Sequence, residues 1–282
     1  MALMARPRNL LLTGLPRGGT TLTCFLLNQL PAVVALAEPM DVNAFVPDDE
    51  HANVRMIASF IAAQRETLLA EGRAVGKSVD GRTIDNPLSD ERDEVTGKRV
   101  RRINQRFVEV TKPLGPTFTL AIKHPGAFSA MLPTLRQHFE CFATVRNPLA
   151  VLMSWAQTPF AVAQGHAPAA ERLDAELTDR LAREDDVHER QITLLSWFFE
   201  RYRGLPAGHV IKYEDIVATR GRVLPDRLAL AGPLDTSLET RNDKHLSDPA
   251  CRRLADKLIA RGGAYLDHYS ATDISAMLPG VS

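Results

Sequence analysis

The sequence predicts an α/β fold, and three observations lead there. Short apolar runs alternate with segments whose apolar residues recur at helical spacing. A glycine-rich turn, Gly14-Leu-Pro-Arg-Gly-Gly-Thr-Thr21, separates the first run from the first helical segment. The 282 residues are 45% hydrophobic and 24% charged, the balance of an ordinary globular chain, with no internal repeat or low-complexity tract.

Along the chain, Asn9 to Thr13 reads as a strand. Thr20 to Leu30 reads as a helix, with Leu22, Phe25, Leu26 and Leu30 on one face. Val33 to Leu36 is a second strand ending at Glu38-Pro39, and Glu50 to Ala70 a long helix. Phe118 to Lys123 and Cys141 to Val145 read as buried strands around one helix, Ala127 to His138. Pro148 fits a first helical turn, where its missing N–H costs nothing, and starts a helix through Trp155. Trp197 to Tyr202 reads as an amphipathic helix against the core, and Val210 to Tyr213 as a last strand. One domain over residues 1–282 is expected, with insertions at about 75–112 and 158–191. Each insertion is expected to be either a flap over a cleft or a solvated excursion.

Composition narrows the function. Lys plus Arg and Asp plus Glu each total 34, so no global field favours nucleic acid or an anionic membrane. Cys24, Cys141 and Cys251 are far apart, which reads as reduced thiols in a cytoplasmic protein, with no metal site suggested. The apolar run Leu10 to Leu12 stops at Thr13 and Gly14, too soon for a secretory or spanning segment.

Two motifs carry chemistry. In the glycine turn, backbone N–H groups and a helix N-terminus face one anion, the geometry of a phosphate cradle. Nucleoside triphosphatase loops end Gly-Lys-Ser/Thr, but here Thr20 follows Gly19 and the loop cation is Arg17, nearer its start. An arginine there suits the bridging oxygen from which a terminal group departs, while Gly18, Gly19, Thr20 and Thr21 hold the remaining phosphate. The second motif is Val145-Arg146-Asn147-Pro148 with Ser154-Trp155. Arg146 at a strand end and Ser154 two helical turns on are expected to face a single phosphate monoester.

With these motifs the chain resembles sulfotransferases that use 3′-phosphoadenosine 5′-phosphosulfate (PAPS). The likeness rests on PRGGTT, TVRNPLAVLMSW and VIKYEDI, in that order. It implies a P-loop-like three-layer fold, with a central parallel sheet flanked by helices, and transfer without a metal. It further implies that Arg17, Gly18, Gly19, Thr20 and Thr21 bind the 5′ side of PAPS, and Arg146 and Ser154 the 3′-phosphate. Arg17 matches tyrosylprotein and many bacterial members, whereas cytosolic aryl and steroid enzymes carry lysine. Their RKGxxGDW element is missing, with Arg261-Gly262-Gly263-Ala264 a faint echo. Arg241, Lys244 and His245 read as a solvated basic turn, with closure over the nucleotide the alternative.

Sulfuryl transfer to a hydroxyl, or less readily an amine, of a small-molecule or carrier-linked acceptor needs a proton acceptor. Glu38, at a strand end beside the loop, is preferred, and its place resembles the glutamate base of tyrosylprotein and several bacterial enzymes. His124 in Ile122-Lys123-His124-Pro125 is the rival, similar to the Lys-Thr-His-Leu-Pro base of the cytosolic enzymes. Lys123 is expected as a second cation at the sulfuryl group. The Tyr213-Glu214-Asp215 turn is expected to order the cleft floor. The alternatives are a P-loop phosphotransferase and a catalytically silent nucleotide-binding module.

Overall fold

Strand β1 (Asn9–Gly14) runs through the middle of the molecule, buried on both faces. In the computed structural model, which describes residues 7–241 and 249–278, a loop joins it to helix α1 (Thr20–Leu27), followed by β2 (Val33–Ala37) and α2 (Glu50–Glu71). Two antiparallel pairs come next, β3 (Arg73–Ser78) with β6 (Asn104–Glu109), and β4 (Leu88–Arg92) with β5 (Arg99–Arg101). The chain returns to the central sheet with β7 (Thr119–Lys123), then α3 (Pro125–Ala130), α4 (Leu132–His138), β8 (Glu140–Val145) and α5 (Pro148–Ala156). After α6 (Pro168–Glu171), α7 (Ala175–Ala182) and α8 (Val187–Tyr202), β9 (Val210–Lys212) completes the sheet. Its order is β2-β7-β1-β8-β9, with every neighbour parallel.

Alternation explains why both faces are covered. Leu11, Leu36, Ile122 and Val145 point into a large core shared with α2, α3, α4, α5 and α8. Their neighbours Leu10, Leu12, Ala35 and Phe142 point into a second core with Cys24, Leu26 and Leu27 of α1. Trp197, Phe198, Phe199 and Tyr202 of α8 are buried in the large core, as their spacing predicts. No helix among the described residues is long and apolar enough to cross a membrane.

Three element boundaries differ from the sequence expectation. Helix α1 stops at Leu27, because the Asn28 side chain exchanges hydrogen bonds with the backbone of Ala35 (2.8 and 2.9 Å) and turns the chain before Pro31. The single helix expected over Ala127 to His138 is two, divided at Met131. Pro133, placed in the first turn of α4, cannot serve as the interior of a longer helix. The last strand ends at Lys212, and Tyr213 begins helix α9 (Tyr213–Ala218).

The two insertions are folded. Between β3 and β7, Lys112 donates to the carbonyls of Asn28, Leu30 and Val33, fastening this region to the end of α1. In the second insertion, Val162, Leu177 and Leu181 are buried in the large core.

Candidate active site

The parallel register sets the site. Lys123 lies opposite both Leu12 and Ala37, and Gly14 opposite Thr144, so four strands end along one edge and present their following residues together. This is the edge at which open α/β sheets bind ligands. A cavity of about 590 Å³ lies there, lined among others by Arg17, Thr20, Thr21, Glu38, Lys123 and Arg146.

The loop from β1 to α1 is built tightly. A side chain at Gly14 would come within 2.2 Å of the Thr144 carbonyl oxygen, and one at Gly19 within 2.8 Å of the Tyr213 ring. Both residues have positive φ, 140° and 98°. Arg17 is also left-handed, with φ 66°, and the buried Trp155 indole donates to the Pro16 carbonyl at 2.7 Å, bracing the turn from α5. The N–H groups of Thr20 and Thr21 open α1 and have no carbonyl a turn earlier to bond.

The Arg17 guanidinium meets neutral partners, Ser154 Oγ at 3.3 Å and Asn86 Oδ1 at 3.1 Å. Burial, joined by the like charges of Arg99, Arg146 and Arg241, pulls its pKa down to about 9. It therefore stays cationic near neutral pH in a field that a bound anion would relieve.

Arg146 follows β8. It donates to the Arg17 carbonyl at 3.3 Å and the Arg241 carbonyl at 2.7 Å, and lies over the Tyr213 ring at 4.6 Å. Asn147 caps α5 through Leu149 N–H at 3.0 Å, with Pro148 at the first helical position. Glu214 then accepts from Asn147 N–H at 3.0 Å and from the Tyr269 hydroxyl at 2.7 Å. The turn after β9 thus braces the segment that carries Arg146.

On the opposite side, Glu38 is left-handed at φ 47°, bonded by Lys123 Nζ at 2.8 Å through one oxygen and by Lys77 through the other. Burial raises its pKa, but the two lysines overcome that and hold the carboxyl well below the usual carboxylate range. The Lys123 side chain is only 2% exposed, so this ion pair is what makes its charge tolerable there. Lys77 comes from β3, inside the first insertion, and had not been singled out in the sequence.

Several expected site residues are placed differently. His124 does not line the cavity: its side chain is buried against Phe128, its Nε2 accepts from Met40 N–H at 3.1 Å, and burial pushes its pKa down to about 3. It is a neutral strand-end histidine inside the core. Gly18 is likewise absent from the lining, since its N–H donates to the Leu15 carbonyl at 2.8 Å. Ser154 accepts from the Arg17 guanidinium and does not line the cavity. Arg261 pairs with Glu184 and Glu189 away from the cleft. Arg241 lines the cavity, while Lys244 and His245 lie outside the described residues.

Both insertions reach the cavity, the first through Asp85, Asn86 and Arg101, the second through Phe160, Val162 and His166. Asn86 has a place in the site that no local motif announced, whereas the Tyr213 ring, from the turn expected to order the cleft floor, lies against Gly19 and under Arg146. Fold and lining together define an α/β protein with a cation-lined cleft at the carboxyl edge of a parallel sheet.

No family model matches the chain, and no curated protein matches it. Among solved structures, the chain is similar to a sulfotransferase from Alicyclobacillus acidocaldarius, at 14% identity and a TM-score of 0.44, covering 98% of this chain and 96% of that one. It is also similar to a sulfotransferase from Mycobacterium avium, at 16% identity and a TM-score of 0.37, covering 96% and 75%. A third, from Mycobacterium tuberculosis, has 12% identity and a TM-score of 0.35, covering 98% and 77%.

Proposed function

We propose that this chain is a PAPS-dependent sulfotransferase that moves a sulfuryl group to a hydroxyl of a small-molecule or carrier-linked acceptor. The observation that carries the reading is the pair of arginines, Arg17 and Arg146, in the segments that follow adjacent parallel strands and lining one cavity. A nucleotide bearing phosphates on both its 5′ and 3′ oxygens offers an anion to each. The donor set also fits: guanidinium groups, helix-start N–H groups and the Tyr213 ring suit phosphate and a planar base.

In this reading Thr20, Thr21 and Gly19 cradle the 5′-phosphate, and Arg146 binds the 3′-phosphate. Arg17 stabilises the bridging oxygen as it takes up charge, and Ser154 and Asn86 aim it there. The donor supplies the sulfuryl group on an anhydride bond to the 5′-phosphate. Lys123 and Lys77 attract the sulfuryl oxygens, and Glu38 holds both ammonium groups in place. The preferred assignment of Glu38 as proton acceptor gives way to this counter-ion role. A carboxylate held by two ammonium groups and depressed below its usual range is a weak base. His124, buried and hydrogen-bonded to Met40, does not take that part either.

The test is thermal unfolding with a chelator present. Adenosine 3′,5′-bisphosphate should raise Tm by several degrees, and ATP with magnesium by much less. The reverse order would favour a phosphotransferase and overturn the proposal.

A further inference from the structure

The proton acceptor left open above has a candidate in the second insertion. A 3₁₀ turn (Ala161–Gln164) ends at Gly165, whose φ of 76° lets the chain reverse, and the His166 N–H donates back to the Ala161 carbonyl at 3.1 Å. His166 is the only histidine among the described residues that lines the cavity. Its side chain is 39% exposed.

The ring is fixed from behind. Glu171, at the end of α6, accepts the Ala167 N–H at 2.6 Å through one oxygen and faces His166 Nδ1 at 3.0 Å through the other. A carboxylate only accepts, so Nδ1 is the nitrogen that carries the hydrogen toward Glu171, and in the neutral ring the lone pair is then on Nε2. A base oriented by a second group is the arrangement that nucleophile activation requires.

The position also suits an acceptor. The wall carrying His166 packs on the segment that follows β7: a side chain at Gly126 would lie 3.6 Å from Ala170 N and 3.7 Å from Ala169 Cβ. Gly126 is three residues beyond Lys123 and lines the cavity with it, so this wall adjoins the lysine side of the cavity. The side chains around His166 there, Phe160, Val162, Ala167, Pro168 and Ala169, are uncharged.

We propose that His166, oriented by Glu171, is the catalytic residue that takes the proton of the attacking hydroxyl, an inference that rests on the sulfotransferase reading. As the acceptor oxygen bonds to sulfur, the sulfur–oxygen bond to the 5′-phosphate breaks. The bond pair leaves with the phosphate, giving adenosine 3′,5′-bisphosphate and a sulfate ester, or inorganic sulfate when water attacks. The hydroxyl proton passes to Nε2 and then to solvent. Glu171 is a positioning residue.

The experiment uses the full chain and sulfur-labelled PAPS, with water and 2-naphthol as acceptor probes. His166→Ala should lower kcat about 100-fold or more while KM for PAPS changes less than twofold. Added imidazole should restore at least tenfold of that loss, which a merely structural role would not allow. Glu171→Gln should lower kcat about tenfold at unchanged KM. Calorimetry with adenosine 3′,5′-bisphosphate checks that each variant is folded and binds as the parent does. A His166→Asn variant that binds it normally and turns over within threefold of the parent would overturn the proposal, as would His166→Ala beyond rescue by imidazole. Failure of the parent to bind adenosine 3′,5′-bisphosphate or to release label would instead overturn the sulfotransferase reading beneath it.

Discussion

The two sides of the cavity carry positive charge in opposite ways. On one, the Arg17 guanidinium is held by a hydroxyl and an amide oxygen and feels three further arginines, with no carboxylate bonded to it among the described residues. On the other, Lys123 and Lys77 share the carboxylate of Glu38. The first side leaves charge for a ligand to neutralise. On the second, one carboxylate offsets part of the charge of two ammonium groups and holds both in place, so these cations are preorganised. Buried cations alone do not mark an anion site; what their bonded partners are decides it.

Glu38→Gln and Arg17→Ala should break this comparison most clearly. Removing the Glu38 charge strands Lys123 in the interior and should cost about 3 kcal/mol of stability, measured by denaturant unfolding near pH 7. Because the folded-state pKa of Glu38 is depressed, its contribution is present in full above the ordinary carboxylate range and is lost as pH falls. Parent and variant curves should therefore converge in acid. Arg17→Ala removes a charge crowded by like charges, so the protein should lose little stability but about 100- to 1,000-fold in turnover. Equal destabilisation by the two substitutions would remove the contrast.

Arg146→Ala should weaken adenosine 3′,5′-bisphosphate about 30-fold in calorimetry, close to 2 kcal/mol, and leave kcat less affected. Gly19→Ala places a methyl group against the Tyr213 ring at a left-handed position, and should cost about 1–2 kcal/mol in unfolding experiments.

The smallest effect concerns His124. Its folded pKa, about 3, lies below that of the unfolded chain, so the unfolded state binds the extra proton and stability falls as pH drops below about 6.5. Between pH 6 and 5 the parent should lose up to about 1.4 kcal/mol per unit relative to His124→Asn. Parallel curves would mean that His124 is solvated.

The arginine side of the site was legible in the sequence because its signals are local. Glycines that only a tight turn needs, an arginine at a strand end and a proline at a helix start keep their meaning wherever the segment sits. The strands were equally plain, since both faces of a parallel sheet are buried and the runs are apolar through their centres. The lysine side was legible only in part. Glu38 and Lys123 end paired strands, but Lys77 reaches them through a two-stranded excursion whose packing beside β2 no motif encodes. His166 was hidden for the same reason: its meaning depends on Glu171 and on the packing of α6 against α3. His124 erred the other way. Its sequence neighbourhood resembled a catalytic one, but its ring packs on Phe128 and accepts the Met40 N–H, and it does not line the cavity.

Titration calorimetry comparing adenosine 3′,5′-bisphosphate with adenosine 5′-monophosphate tests the two-anion cleft most directly, since the ligands differ only in the phosphate meant for Arg146. The bisphosphate should bind at least 30-fold more tightly to the parent, with the gap collapsing in Arg146→Ala. Equal affinity for the two nucleotides in the parent would contradict the account.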